Sequence, residues 1–111
     1  DSMKGGIAME ELEISLMQII SYSGEARSLC FEALQSYRDG DKEAGRKQYK
    51  DAEENLYTAK RAHSRILKQS ANGEFDQISL LMVHAEDQMM ASEIIYQMTR
   101  ELFHCMSETK G

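Results

Sequence analysis

The stretch LLMVHAEDQMM, residues 80–90, sets an imidazole and a carboxylate, His84 and Asp87, three residues apart among apolar neighbours. On a helix that spacing is one turn, about 4.5 Å along the axis, so both side chains leave the same face. Three chemistries fit such a pair. His84 can donate to Asp87 as a satisfied polar pair that sets the register of an assembly, as polar seam residues do. The two can ligate a metal, although two ligands per chain are too few without symmetry. Or the imidazole can accept a group covalently while the carboxylate organises the assembly. Spacing alone favours the first. Of the other histidines, His63 reads as core or boundary and His104 as part of the fraying last turn, and neither has a carboxylate three residues on. Gly-rich phosphate loops, Cys/His zinc spacings and Ser-His-Asp arrangements are absent from the sequence.

The elements that must position the pair are three long helices. The first is predicted from Met9 to Tyr37, with Leu16, Ile19, Ile20, Ser23, Ala26, Cys30, Ala33, Leu34 and Tyr37 at steps of three and four. Gly24, with Ser23 and Ala26, makes a small-residue patch suited to close helix packing. RDGD ends this helix, with Gly40 just past its end and Asp41 as the next N-cap. The second helix runs from Lys42 to Ser70, with a thinner stripe of Tyr49, Ala52, Leu56, Ala59, Ala62, His63, Ile66 and Leu67. SANGEFD breaks the chain again, and Asp76 is the predicted N-cap of a third helix from Gln77 to Met106. Leu80, His84, Asp87, Ala91, Ile94 and Met98 recur along it at the spacing of an a/d seam, which packs on like helices. This helix is apolar on more of its circumference than two neighbours can cover, so self-association through it is expected. The fold class is therefore all-α: an antiparallel up-down-up three-helix bundle that assembles with copies of itself.

Composition bounds the rest. At 111 residues there is room for one core. Residues 1–8, DSMKGGIA, read as a flexible leader or expression remnant ahead of a domain over residues 9–107. Proline and tryptophan are absent and strong helix formers dominate. A net charge of −6 argues against a nucleic-acid partner. No apolar run is long enough for membrane insertion, and no signal peptide is visible. The two cysteines, Cys30 and Cys105, lie in predicted helices without a motif and read as reduced thiols of a cytosolic protein.

At LLMVHAEDQMM the sequence resembles a family. It is the enzyme IIA component of the lactose/cellobiose (chitobiose) class of the bacterial phosphoenolpyruvate-dependent sugar phosphotransferase system. That signature reads close to L-L-x-x-H-A-Q-D-H-L-M, and Leu80, Leu81, His84, Ala85, Asp87 and Met90 fit it. IISYSGEARSLCFEAL, residues 19–34, is similar to the family's first helix, with Gly24, Ala26, Arg27 and Ser28 in place, and Ala62 and His63 have a counterpart in its second. The resemblance implies a cytoplasmic homotrimer in which His84 carries a phosphoryl group on Nε2. It also implies that Asp87 meets its symmetry mates around one shared Mg²⁺. The implied donor is phospho-HPr and the implied acceptor a cysteine of the cognate enzyme IIB, during uptake of a β-linked disaccharide such as lactose or cellobiose. Met82, Met89 and Met90 would supply an adaptable apolar rim for these partners. Two positions depart from the pattern: Glu86 stands for the family glutamine and Gln88 for its second histidine. A carboxylate at 86 repels phosphate unless it is protonated or turned away. The rival reading is a non-catalytic helical oligomerisation module in which His84 and Asp87 are structural.

Overall fold

The computed structural model describes residues 9–75 and 77–109, so the proposed leader and the proposed cap Asp76 lie outside the described residues. Three helices of 30 residues each follow one another: α1, Met9–Arg38; α2, Lys42–Ala71; α3, Leu80–Thr109. The first corner is built as its sequence requires. Gly40 takes φ +94°, a left-handed conformation that a side chain disfavours. The Asp41 carboxylate accepts from the Ala44 amide at 3.1 Å, which caps α2. At the second corner Gly73 takes φ +73° and the Glu74 amide donates to the Gln69 carbonyl at 2.9 Å.

α3 begins at Leu80, three residues later than the hydrophobic pattern predicts. Ser79 is the reason. Its hydroxyl accepts from the Met82 amide and its carbonyl from the Val83 amide, both at 3.2 Å, so Ser79 performs the capping assigned to Asp76. Gln77 and Ile78 stay outside the helix and exposed.

Pairwise bonds give the topology. Ser23 and Arg27 of α1 meet Ser92 of α3, and Tyr37 meets Ser107, so α1 and α3 run parallel. His63, Lys60 and Glu53 of α2 meet Glu86, Glu93 and Tyr96 of α3 in reverse order, so α2 is antiparallel to both. This is the expected up-down-up bundle. One apolar cluster, formed by Leu12, Leu16, Ile19, Ala59, Ala62, Ile66, Ala85 and Met89, fills the half of the bundle that holds the α3 N-terminus. Tyr37, Tyr49, Tyr96 and Phe103 stack in the other half.

Two assignments change. Gly24 does not carry a close helix approach, since a β-carbon there would meet only Arg27 Nη2, at 3.8 Å. Gly45 of α2 carries it instead: a β-carbon would lie 3.0 Å from the Ala33 carbonyl oxygen. Leu67 is exposed rather than core, because it projects past the edge of the α2 stripe. Among the described residues no helix is long and apolar enough to cross a membrane.

Candidate functional site

α3 divides its circumference cleanly. Ala85, Met89, Ser92 and Thr99 are buried against α1 and α2. The seam read from the sequence lies on another face. His84, Asp87 and Ala91 are exposed, and Leu80, Ile94 and Met98 are 84%, 58% and 55% exposed. Val83, Met90 and Leu102 extend this open apolar surface. Among the described residues this stripe is therefore left largely uncovered. His84 and Asp87 do share a face, one turn apart, in the second turn of α3 and the turn that follows it. Asp87 has no ion-pair partner among the described residues.

The first turn of α3 holds no acidic residue, unlike those of α1 (Glu10, Glu11) and α2 (Glu43). The positive end of the helix dipole lies just before His84 and favours an anionic group there. Met90 stands on the open side as expected for an apolar rim. Met89 does not: it is 6% exposed and belongs to the core cluster, with Met82 packed against that cluster. The one-residue offset between Met89 and Met90 is 100° of helix, enough to separate core from surface.

Glu86 leaves α3 on the α2 side. Its Oε2 is bonded by Nε2 of His63, across the α2–α3 seam, with His63 mostly buried and Glu86 about half exposed. A carboxylate only accepts, so His63 Nε2 carries the proton in this bond and has no lone pair to offer a phosphorus atom. Two residues of helix turn Glu86 about 200° from His84, but nothing in the sequence signalled its partner, which lies 23 residues away on another helix. Arg27, known from the sequence only as part of the first-helix block, donates to Ser92 Oγ at 3.0 Å. That hydroxyl in turn donates to the Ser23 carbonyl at 2.7 Å. The block is therefore a tie between α1 and α3 beneath the site. Among the described residues no cluster of three or more His, Cys, Asp or Glu side chains forms a metal site within one chain.

A three-helix bundle with one imidazole and one carboxylate on an exposed apolar stripe defines an all-α protein whose candidate groups lie on an open surface rather than in a cavity. Comparison with known proteins makes the class specific. The profile of the family described as "PTS system, Lactose/Cellobiose specific IIA subunit" matches residues 14–107, and the chain belongs to this family. It is 35% identical over 105 residues to the lichenan-specific phosphotransferase enzyme IIA component of Bacillus subtilis (strain 168), covering 92% of this chain and 96% of that one. Among solved structures it resembles PtcA from S. mutans, with TM-score 0.85 and 28% identity over 91% of this chain and 99% of the other. It also resembles the cellobiose-specific enzyme IIA from Bacillus anthracis, with TM-score 0.83 and 26% identity over 94% of each chain. The protein is a IIA component of the lactose/cellobiose class, and such components are phosphotransferase carriers.

Proposed function

We propose that this chain is a cytoplasmic phosphocarrier that takes a phosphoryl group from phospho-HPr on His84 and passes it to a cysteine of a cognate enzyme IIB. The observation that carries the reading is the exposed imidazole of His84, in the family's HAxD block, on a face open to a partner. The rival imidazole that belongs to the same half of the bundle, His63, has its Nε2 engaged by Glu86. In the first step a ring nitrogen lone pair of His84 attacks phosphorus, the donor's N–P bond breaks, and the donor imidazole recovers its lone pair. In the second step a thiolate attacks the same phosphorus, an S–P bond forms and the bond to His84 breaks. Neither step needs a sugar site, and the transported solute belongs to the membrane component; a β-linked disaccharide such as lactose or cellobiose is the class proposed.

Asp87 belongs to the same proposal. One carboxylate per chain cannot hold a cation, but three related by a threefold axis supply oxygen ligands of the kind Mg²⁺ takes. Asp87 fits this role because it is exposed on the apolar stripe and has no ion-pair partner among the described residues. Asp87 then faces the axis of a homotrimer, where the metal would offset the repulsion of three carboxylates, while His84 lies near a subunit boundary, partly accessible to a partner.

The direct test is incubation with enzyme I, HPr and phosphoenolpyruvate. The wild type is expected to gain one phosphate per chain, acid-labile and base-stable, as a phosphoramidate is. His84→Gln is expected to abolish uptake while helix content by circular dichroism is unchanged. Uptake that survives in His84→Gln would move the acceptor to another histidine and overturn the assignment.

A further inference from the structure

The bond between His63 and Glu86 is the feature that the carrier reading leaves unused. Glu86 stands two residues after His84, where the rise is about 3 Å. Its side chain leaves the helix about 200° away from the imidazole, on the far side of a cylinder about 10 Å across. At that range an unpaired carboxylate still opposes a doubly charged phosphoryl group, because neither is screened fully at a protein surface. Glu86 is about half exposed and its side chain has three rotatable bonds, so nothing in α3 alone holds its charge away from His84. α2 does so. His63 presents Nε2 to Glu86 Oε2, and His63 itself is held in the α2–α3 boundary, mostly out of solvent.

The neighbouring ties add fixity. Lys60 Nζ meets Glu93 Oε2 at 2.6 Å and the Tyr96 hydroxyl donates to Glu53 Oε2 at 2.8 Å. In each of these three contacts a glutamate of one helix is matched by a donor from the other. The other cations close to His63 in sequence, Arg61 and Arg65, are exposed, and Arg61 lies over the Tyr57 ring. His63 is therefore the donor that meets Glu86.

We infer that His63 is a positioning residue for phosphoryl transfer: it holds the Glu86 carboxylate on the α2 side of α3, so that no free anion competes with the phosphoryl group for the surroundings of His84. The inference rests on the proposed carrier role of His84. It also accommodates a glutamate in place of the family glutamine, since the carboxylate has a hydrogen-bond partner within the chain.

Initial rates of phosphorylation of the full chain, measured with enzyme I, HPr and phosphoenolpyruvate, test it. His63→Ala is expected to slow uptake about fourfold, the effect of a freed carboxylate moving from about 10 Å to about 5 Å from a dianion in a high effective dielectric. Glu86→Gln alone is expected to stay within about twofold of wild type, and His63→Ala combined with Glu86→Gln is expected to return to that range. His63→Gln keeps a donor and is expected to match wild type within about twofold; with and without Glu86→Gln it carries the comparison if the alanine variant fails to fold. If His63 served packing alone, the double variant would remain as slow as His63→Ala, and that result overturns the inference. So does a wild-type rate in His63→Ala. A wild type that takes no phosphate, or a His84→Gln variant that still takes it, overturns the carrier reading and the inference with it, and is distinguishable from both.

Discussion

Two histidines of the same half of the bundle differ in what their ring nitrogens face. His63 has a carboxylate against Nε2, whereas His84 opens to solvent one turn before Asp87. Burial separates the two cysteines. Cys30 is fully buried on α1, and burial pushes its thiol up from the usual range, with the Thr99 hydrogen bond opposing only in part. A raised pKa lowers the thiolate fraction at neutral pH, and the thiolate is the reactive form. Cys105 is exposed on α3. A disulfide reagent in native buffer is therefore expected to titrate one thiol per chain quickly, lost in Cys105→Ser, with Cys30 reacting only after denaturation. Rapid native reaction of two thiols would show that the α1–α3 interface opens on the time scale of labelling.

At the scale of the elements, the glycines separate packing from propensity. Gly45 faces the α1 backbone, with Ala33 O at 3.0 Å and Tyr37 Cβ at 3.3 Å from a β-carbon placed there. A backbone carbonyl cannot swing aside as a side chain can. Gly45→Ala is thus expected to lose about 1 kcal/mol net, overpacking outweighing a helix-propensity gain of similar size. Gly24→Ala has only a flexible guanidinium nearby and is expected to gain up to about 1 kcal/mol. Urea unfolding of the two variants beside wild type decides this, and equal shifts of the same sign would refute the distinction. Capping shows the same interplay. α3 starts where Ser79 can satisfy the Met82 amide, not where the apolar pattern begins.

At the scale of the whole molecule, the described residues leave an apolar stripe exposed on α3, with Leu80, Val83, Met90, Ile94, Met98 and Leu102. Full burial of side chains of this size contributes about 1.5–3 kcal/mol each, which is a strong drive to associate. Sedimentation of the wild type is expected to give a trimer that weakens with chelator, because the three Asp87 carboxylates then lose their common cation. Asp87→Leu removes charge and ligand together and is expected to stay trimeric without metal. Asp87→Lys is expected to dissociate it. A wild type that sediments as a monomer or dimer regardless of metal would return Asp87 to an ordinary surface carboxylate.

Much of this protein is determined locally and so can be read from the chain alone. Helix existence follows from steps of three and four among Leu16, Ile19, Ser23, Ala26 and Cys30, all but one of them almost completely enclosed and Leu16 nearly so. The first corner follows from Gly40 and Asp41, whose conformational and capping chemistry acts within a few residues. The common face of His84 and Asp87 follows from helical geometry, and their family block identifies the class to which the chain belongs. What the chain alone did not decide is which of the apolar faces of α3 the bundle consumes. Periodicity marks Met89 and Met90 alike as apolar; only the seating of α3 on α1 and α2 buries the first and opens the second. The approach of Gly45 to Ala33, and the bond from His63 to Glu86, likewise join residues far apart in sequence. No local propensity encodes such pairs, because they exist only once helix rotation and register are set by packing around the shared core.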